Sequence, residues 1–299
     1  MTTTTPPPSH LLGGIVQELR PKQWIKNVLV FAAPVAAGLF DNRRTDLEAL
    51  GAFGCFCAAA SATYLINDAM DIDSDRQHPV KKNRPIAAGV VPLGLAYVLA
   101  IALLVVAVGG GFLIRRDFGL TIVAYLALTT LYSLWLKRLP ILDIFAVAAG
   151  FVLRAIGGAT ATGLPISEWF FIVTSFGALF MVTGKRAGER ADLGDDALSV
   201  RPALAAYSPQ YLNYLKAVFS AGTLITYCLW AFASAQESTN GSVLFQLSIV
   251  PFAIAILRYA LLLEQGKGAE PENLVLSDRT LLVAGAIWAI IYASAVYAS

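Results

Sequence analysis

Long apolar stretches alternate with short polar loops along nearly the whole sequence. An α-helix needs about 20 apolar residues to cross the hydrocarbon core of a bilayer, and stretches of this length recur throughout the chain. The predicted spans are 24–40, 47–67, 91–114, 118–136, 141–163, 168–184, 211–235, 243–263 and 278–298. The first is the least regular, because Pro34 interrupts it. The pattern predicts an all-α, polytopic membrane protein with about nine transmembrane helices.

The composition supports this interpretation and limits the classes of function. The chain is 57% hydrophobic and only 14% charged, which is far from the composition of a soluble globular protein. The first residues, MTTTTPPPSH, lack the basic start and apolar core of a signal peptide. We expect a disordered tail over residues 1–19 and a single transmembrane domain over residues 20–299. Neither a nucleotide-binding glycine–lysine loop nor a dinucleotide fingerprint is evident, and no nucleic-acid partner is expected.

The basic residues are distributed unevenly between the two sets of loops. Numbering the loops from a cytoplasmic N-terminus places sixteen Lys and Arg residues on the cytoplasmic side. The other side has only Arg43, Arg44, Arg115 and Arg116. Cytoplasmic loops are rich in Lys and Arg, so this bias fixes the predicted orientation. We therefore expect a multi-pass protein of the plasma (inner) membrane, with its N-terminus facing the cytoplasm.

Residues 67–86, NDAMDIDSDRQHPVKKNRPI, carry the most informative charges. Asp68, Asp71 and Asp75 have the i, i+3, i+7 spacing that places side chains on one helix face. Neighbouring carboxylates repel each other, and a divalent cation turns that repulsion into binding. Mg²⁺ prefers oxygen ligands and usually keeps a substrate phosphate in its shell. We predict a cytoplasmic Mg²⁺–diphosphate site with Asn67 and the three aspartates as metal ligands and the aspartates as catalytic residues. A solvated polar loop is the alternative.

Basic and hydroxyl side chains near the predicted cytoplasmic edge are candidates for binding substrate phosphates. The predicted set is Lys22, Lys26, Tyr64, Lys81, Arg84, Lys137, Arg138, Lys185 and Arg186. Anchoring at the membrane edge would explain many of these cations equally well. Arg154 lies inside an apolar span, where an arginine is costly and usually faces the bundle interior. It is expected either to pair with Asp143 or to point at bound substrate.

The spans and the Asn-Asp-x-x-Asp-x-x-x-Asp motif after the second span resemble the UbiA superfamily of intramembrane prenyltransferases. The resemblance covers nearly the whole chain, and Asn67, Asp68, Asp71 and Asp75 are the matching positions. It implies a helical bundle with a central cavity open to the cytoplasm and to lipid. It also implies Mg²⁺-dependent loss of diphosphate.

The chain departs from the aromatic prenyltransferases of this superfamily at the sixth span. Those enzymes typically carry a second Asp-rich motif there, whereas this sequence has Lys185, Arg186 and Glu189. Asp192, Asp195 and Asp196 lie slightly later and could substitute only in part. Cations in place of carboxylates suggest a site that meets phosphate directly, without a second full metal cage.

Two longer segments, RPKQWIKN and NDxxDxxxDRxHPxKxxRPIAAG, resemble one branch of the superfamily. This branch transfers 5-phosphoribose from 5-phosphoribosyl 1-diphosphate to decaprenyl (polyprenyl) phosphate, for cell-wall arabinan (arabinogalactan) synthesis. The resemblance thus implies a glycosyltransferase with Mg²⁺ as cofactor. The alternatives are an aromatic-acid polyprenyltransferase of quinone biosynthesis and a non-enzymatic transporter or lipid-binding protein. Small-residue helix faces leave a homo-oligomer open.

Overall fold

A computed structural model of the chain describes residues 10–38, 42–193, 202–238, 240–266, 268 and 271–298. All regular structure within these ranges is helical. The α-helices are α1 (Leu11–Leu19), α2 (Ala32–Ala36), α3 (Arg43–Met70), α4 (Ile72–Gln77), α5 (Leu93–Ile114), α6 (Arg116–Leu134), α7 (Leu142–Thr162), α8 (Glu168–Leu193), α9 (Pro202–Ala205), α10 (Pro209–Glu237), α11 (Ser242–Leu247), α12 (Ile249–Glu264), α13 (Pro271–Ser277) and α14 (Arg279–Tyr297). Three 3₁₀-helices, Pro21–Phe31, Lys81–Asn83 and Leu136–Arg138, lie between them.

Eight helical segments in the described part of the chain are long and apolar enough to cross a membrane. Seven are single helices, and the eighth, Ser242–Glu264, combines α11 and α12. They coincide with the second to ninth predicted spans. The predicted fold class is therefore confirmed, with a helix count close to the nine expected, and the chain is an integral membrane protein.

The first predicted span is not a long membrane helix. Its described residues, 24–38, belong to the 3₁₀-helix Pro21–Phe31, the five-residue helix α2 and the turn after it. The 3₁₀-helix packs tightly on α7 at Gly158, where a Cβ atom would lie only 1.8 Å from the carbonyl oxygen of Val30. The sequence AAPVA, with a proline in its centre, cannot extend a regular helix through this region. The segment is thus an irregular helical stretch that packs against the bundle.

Helix α1 lies inside the segment that the sequence predicted to be disordered. That prediction is wrong for residues 11–19, and residues 1–9 lie outside the described residues. The helix docks on α3, because the Ser61 hydroxyl donates a hydrogen bond to the Leu19 carbonyl oxygen at 2.8 Å. Ile15 and Leu19 pack against a cluster that contains Leu65 and Ile86. Apolar burial at these positions stabilises a helix that composition alone does not reveal.

Helices α3 and α7 form the centre of the bundle. In each of them 61% of the most apolar stretch is buried, compared with 17% in α5 and 22% in α14. Large apolar side chains such as Ile101 and Val105 on α5 remain exposed. An apolar face exposed over a full helix length is suited to contact with lipid. The bundle therefore presents its outer helices to the membrane and keeps α3 and α7 inside.

Side-chain contacts identify which helix ends lie together. At one end, the Asn67 amide of α3 donates to the Ser133 hydroxyl of α6 at 3.2 Å. At the other end, the Arg115 guanidinium lies 3.8 Å from the Glu48 carboxylate and donates to the Ala161 carbonyl oxygen. The acidic motif thus lies at the bundle end formed by the last residues of α3 and α6.

Candidate functional site

The acidic motif occupies the junction between α3 and α4. Helix α3 ends at Met70, and the backbone N–H of Asp71 still donates to the Asn67 carbonyl oxygen at 2.9 Å. The N–H of Asp75 donates in turn to the Asp71 carbonyl oxygen at 2.8 Å. The motif therefore lies on two nearly continuous helical segments, whose backbone fixes the spacing of its side chains.

Arg84 joins two of the predicted metal ligands. Its Nη1 atom donates to Asp68 Oδ1 at 2.8 Å and to Asp75 Oδ2 at 2.7 Å. The Asp68 and Asp75 side chains are only 5% and 2% exposed. Lys81 adds a weaker contact, with its Nζ atom 3.9 Å from Asp75 Oδ1. Two buried carboxylates thus face one point, and the loop after the motif supplies a cation there.

Arg20, which follows α1 in the chain, contacts the same cluster. Its guanidinium forms an ion pair with Asp68 and lies over the Tyr64 ring, 4.7 Å from the centroid. The Arg20 backbone is left-handed, with φ of 53°, an uncommon conformation for a residue other than glycine. This kink separates α1 from the 3₁₀-helix Pro21–Phe31 and directs the Arg20 side chain toward Asp68. Arg20 is not among the site residues predicted from the sequence.

Two predicted metal ligands differ in their surroundings. Asn67 is half-buried and bonded to Ser133, whereas the Asp71 side chain is exposed at the helix junction. No group of three or more His, Cys, Asp or Glu side chains within the described ranges is arranged to hold a metal ion. The predicted common face is therefore buried at Asp68 and Asp75, whereas Asp71, the residue between α3 and α4, is exposed.

The donor chemistry nevertheless fits a hard divalent cation. Asp68 and Asp75 both contact Nη1 of Arg84, so one oxygen of each carboxylate lies beside the same positive charge. Mg²⁺ is usually held by one or two carboxylates and completes its shell with water and substrate phosphate. Asp68 and Asp75, with the exposed Asp71 nearby, provide the carboxylate ligands that Mg²⁺ requires.

Glu18 is a buried member of the cluster that sequence reasoning missed. Its side chain belongs to α1 and the residue is 1% exposed, with Oε1 accepting the Ile86 backbone N–H at 2.9 Å. Burial, and then the adjoining Asp68 carboxyl, raises the pKa of Glu18 from 4.5 to about 7, against the lowering effect of the Ile86 N–H. Only the pattern LLGGIVQEL, with apolar residues at helical spacing, could have indicated that α1 is ordered.

The other predicted substrate-binding lysines and arginines are more exposed. Lys22 and Arg138 are exposed, while Lys26, Lys137 and Lys185 are half-buried. The Lys26 ammonium donates to the Gln23 side chain at 2.6 Å. Within the described residues, Lys22, Lys137 and Arg138 form no ion pair with the acidic motif. Their substrate-binding roles stay predictions.

Arg186 is engaged in a separate buried network. It donates to Asp143 Oδ2 at 2.8 Å, to Glu189 Oε2 at 2.7 Å and to the Tyr132 hydroxyl at 3.1 Å. The Tyr207 hydroxyl donates to the other Asp143 oxygen. The Arg186 side chain is only 3% exposed, so the network favours a structural role over direct phosphate contact. Asp195 and Asp196 lie outside the described residues.

Arg154 does not pair with Asp143. Its guanidinium donates to the Asn27 amide oxygen at 2.7 Å, to the Gly150 carbonyl oxygen at 2.9 Å and to the Tyr125 hydroxyl at 2.8 Å. It also lies 4.8 Å from the centroid of the Tyr125 ring. These neutral partners connect α7 to α6 and to the 3₁₀-helix Pro21–Phe31. Of the two predicted alternatives, the pair with Asp143 is therefore wrong, and that carboxylate is bound by Arg186 instead.

Known proteins resemble this chain over nearly all of its length. The model of the UbiA prenyltransferase family matches residues 28–284. A decaprenyl-phosphate phosphoribosyltransferase from Corynebacterium glutamicum is 43% identical over 97% of this chain and 89% of its own length. An enzyme of the same name from Mycobacterium tuberculosis is 41% identical over 95% of this chain and 94% of its own.

Solved structures support the fold independently. A UbiA homolog from Archaeoglobus fulgidus, solved with GPP and Mg²⁺ bound, superposes with a TM-score of 0.71. The alignment covers 96% of this chain and all of the other, at 19% sequence identity. At this identity the likeness concerns the fold, and the family match concerns the sequence. The chain belongs to the UbiA prenyltransferase family.

Proposed function

We propose that this protein transfers 5-phosphoribose from 5-phosphoribosyl 1-diphosphate to a polyprenyl phosphate such as decaprenyl phosphate, with Mg²⁺ as cofactor. The products are a polyprenylphosphoryl-5-phosphoribose and diphosphate. The observation that carries the proposal is the clustering of buried Asp68 and Asp75 with Arg20 and Arg84 at one bundle end. The relatives that match nearly the whole chain carry the corresponding enzyme name.

The close grouping of carboxylates and arginines at this site suits a diphosphate that is bound together with a metal ion. Asn67, Asp68, Asp71 and Asp75 would hold Mg²⁺, which draws electron density toward the leaving diphosphate. Arg20 is bonded to Asp68, and Arg84 to Asp68 and Asp75, so both guanidinium groups are near enough to donate to diphosphate oxygens.

The chemistry requires one bond exchange at carbon 1 of the ribose. The bond from carbon 1 to the diphosphate oxygen breaks, and the diphosphate leaves with the electron pair. Carbon 1 gains oxocarbenium character, and an oxygen of the lipid phosphate attacks from the opposite face. A phosphate nucleophile is already ionised at neutral pH, so no strong general base is needed.

The remaining cations would bind the other phosphate groups of the two substrates. Phosphoribosyl diphosphate carries a 5-phosphate besides its diphosphate, and the acceptor adds a third group. We assign Lys22, Tyr64 and Lys81 to the donor. The 5-phosphate and the lipid phosphate are assigned to the half-buried or exposed cations of the 135–141 loop and of α8, namely Lys137, Arg138 and Lys185.

The charge bias of the loops supports a cytoplasmic site in the plasma membrane. The Asp68–Arg84 cluster and the Arg186–Asp143 network lie at the ends of helices that face this basic side. Phosphoribosyl diphosphate is a charged, water-soluble donor and would reach the site from the cytoplasm, while the lipid acceptor arrives through the bilayer.

Membranes containing the protein provide the test. Incubation with ribose-labelled phosphoribosyl diphosphate and polyprenyl phosphate should move label into the lipid extract, with one diphosphate released per labelled lipid and no transfer in excess EDTA. The alternative of an aromatic-acid polyprenyltransferase predicts no labelled lipid. It predicts instead the turnover of a prenyl diphosphate with an aromatic acid.

A further inference from the structure

Helix α1 is fastened to the segment that follows the acidic motif. Gly14 faces this segment so closely that a Cβ atom there would lie 3.0 Å from side-chain carbons of both Val90 and Val91. Farther along the helix, the Leu19 carbonyl oxygen accepts hydrogen bonds from the Ser61 hydroxyl at 2.8 Å and the Trp24 indole at 3.2 Å. The helix is thereby held at both ends, once by the 85–91 segment and once by α3.

Glu18 makes the polar contact between α1 and that segment. Its carboxyl accepts the Ile86 N–H at 2.9 Å, and both residues are 1% exposed. The carbonyl groups of Arg84, Pro85 and Ile86 accept backbone bonds from Ala88 to Val91, which folds the segment into a tight turn. A buried N–H without an acceptor is costly, so Glu18 fixes the position of this turn.

The position of the turn determines where Arg84 points. Ile86 is separated from Arg84 by Pro85 alone, whose ring restricts its own φ and the conformation of the residue before it. A shift of the Ile86 backbone is therefore passed to the arginine that contacts Asp68 and Asp75. On the other side, the Glu18 carboxyl adjoins Asp68 itself.

We propose that Glu18 is a positioning residue for donor binding: its carboxyl holds the Ile86 backbone and so aims Arg84 at the diphosphate site. The kinetic part of this proposal rests on the proposed function, whereas its structural part does not. Glutamine matches glutamate in length and retains the acceptor oxygen. Aspartate retains the charge but is one methylene shorter. These two substitutions therefore separate reach from charge.

The kinetic arm compares Glu18→Gln, Glu18→Asp and Glu18→Ala. Loss of the Ile86 acceptor should raise KM for phosphoribosyl diphosphate about tenfold in the Asp and Ala variants. In these variants kcat and the KM for polyprenyl phosphate should stay within about threefold of the wild type. Glu18→Gln should keep a nearly unchanged donor KM. The matched control is Gln17→Ala, an exposed neighbour on the same helix, and it should behave as the wild type.

The structural arm measures hydrogen exchange of the amides in residues 84–91 of the full-length protein in detergent, without substrate. Exchange should be faster in Glu18→Ala and Glu18→Asp but unchanged in Glu18→Gln. If the Ala variant does not fold, Gly14→Ala replaces it, because its added methyl group pushes α1 away from Val90 and Val91. This variant should show the same faster exchange and raised donor KM.

Distinct results would overturn the proposal. An inactive Glu18→Gln with a normal Glu18→Asp would mean that charge, not reach, is required, as for a metal ligand. Unchanged exchange in all the Glu18 variants would show that the contact does not hold the turn. If exchange changes as expected but the wild type transfers no phosphoribose, the proposed function fails while the structural role of Glu18 stands.

Discussion

Replacement of Arg84 by glutamine removes the one side chain among the described residues that forms ion pairs with both Asp68 and Asp75. Arg20 remains paired with Asp68, but the cation left beside Asp75 in the described part of the chain is then the Lys81 ammonium, 3.9 Å away. The two carboxylates are 5% and 2% exposed, so water compensates them poorly. The variant should therefore be less stable than the wild type, and a divalent cation should stabilise it more strongly than it stabilises the wild type.

The expected loss of stability follows from the burial of the three side chains. Breaking a buried ion pair by removing one partner costs about 3–5 kcal/mol. Arg84 is 27% exposed, and the nearby lysine can move closer, so we reduce this to about 2–3 kcal/mol. At roughly 2–4 °C per kcal/mol, the midpoint of thermal unfolding should fall by about 5–10 °C. Once Mg²⁺ saturates the two carboxylates, each further tenfold increase should return about 1.4 kcal/mol.

Thermal unfolding in detergent, measured in EDTA and across a Mg²⁺ titration without substrate, checks both effects. Lys82→Gln is the matched control, since it removes one exposed cation from the same loop and should change little. Adding Asp75→Asn to Arg84→Gln should restore part of the stability and weaken the Mg²⁺ response. An Arg84→Gln protein as stable as the wild type in EDTA, or one that ignores Mg²⁺, would refute the reasoning.

Three further predictions concern other positions. Asp71→Asn should lower phosphoribosyl transfer by at least about 100-fold without changing thermal stability, whereas Asp73→Asn, an equally exposed control, should stay active; an active Asp71 variant excludes its role as a ligand. Gly158→Ala should cost about 3 kcal/mol in unfolding measurements, because its methyl group meets a backbone oxygen, while Gly109→Ala, in open space, should be tolerated. The pKa of Asp278 is lowered from 3.8 to about 2, mainly by the hydrogen bond that the Arg258 guanidinium donates to it. The stability that wild type gains over Asp278→Asn should therefore be complete above about pH 4 and disappear as the pH falls through 2; a difference that persists below pH 2 contradicts this.

Hydrophobic patterning predicted most of the fold because membrane helices must satisfy their backbone internally and therefore have a characteristic length. It failed at the two segments without such a length. Residues 24–38 contain Pro34 and fold as an irregular segment, and α1 has only nine residues. Helix α1 has apolar residues at helical spacing, but so short a helix depends on packing against α3 and the 85–91 segment. Those long-range contacts cannot be inferred from its own nine residues.

The candidate site was predicted in its central residues but not in its pairings. Asp68, Asp75 and Arg84 were identified from charge clustering within one short segment, where sequence neighbours must be spatial neighbours. Glu18 contacts Ile86, which is 68 positions away, and the partner of Asp143 is Arg186, 43 positions away. Such long-range choices depend on how the helices pack, so sequence spacing led to the wrong partner for Asp143.

The Arg154 network has a consequence for the biosynthesis of the protein. An arginine near the middle of a membrane helix adds roughly 2.5–3.5 kcal/mol to the cost of insertion, so α7 is a poor candidate for insertion on its own. Its side-chain acceptors, Asn27 and Tyr125, both precede it in the chain and emerge from the ribosome first. Helix α7 can therefore enter a bilayer that already contains its hydrogen-bond partners. Substitution of either acceptor would impair membrane insertion of α7 rather than the catalytic turnover of the folded protein.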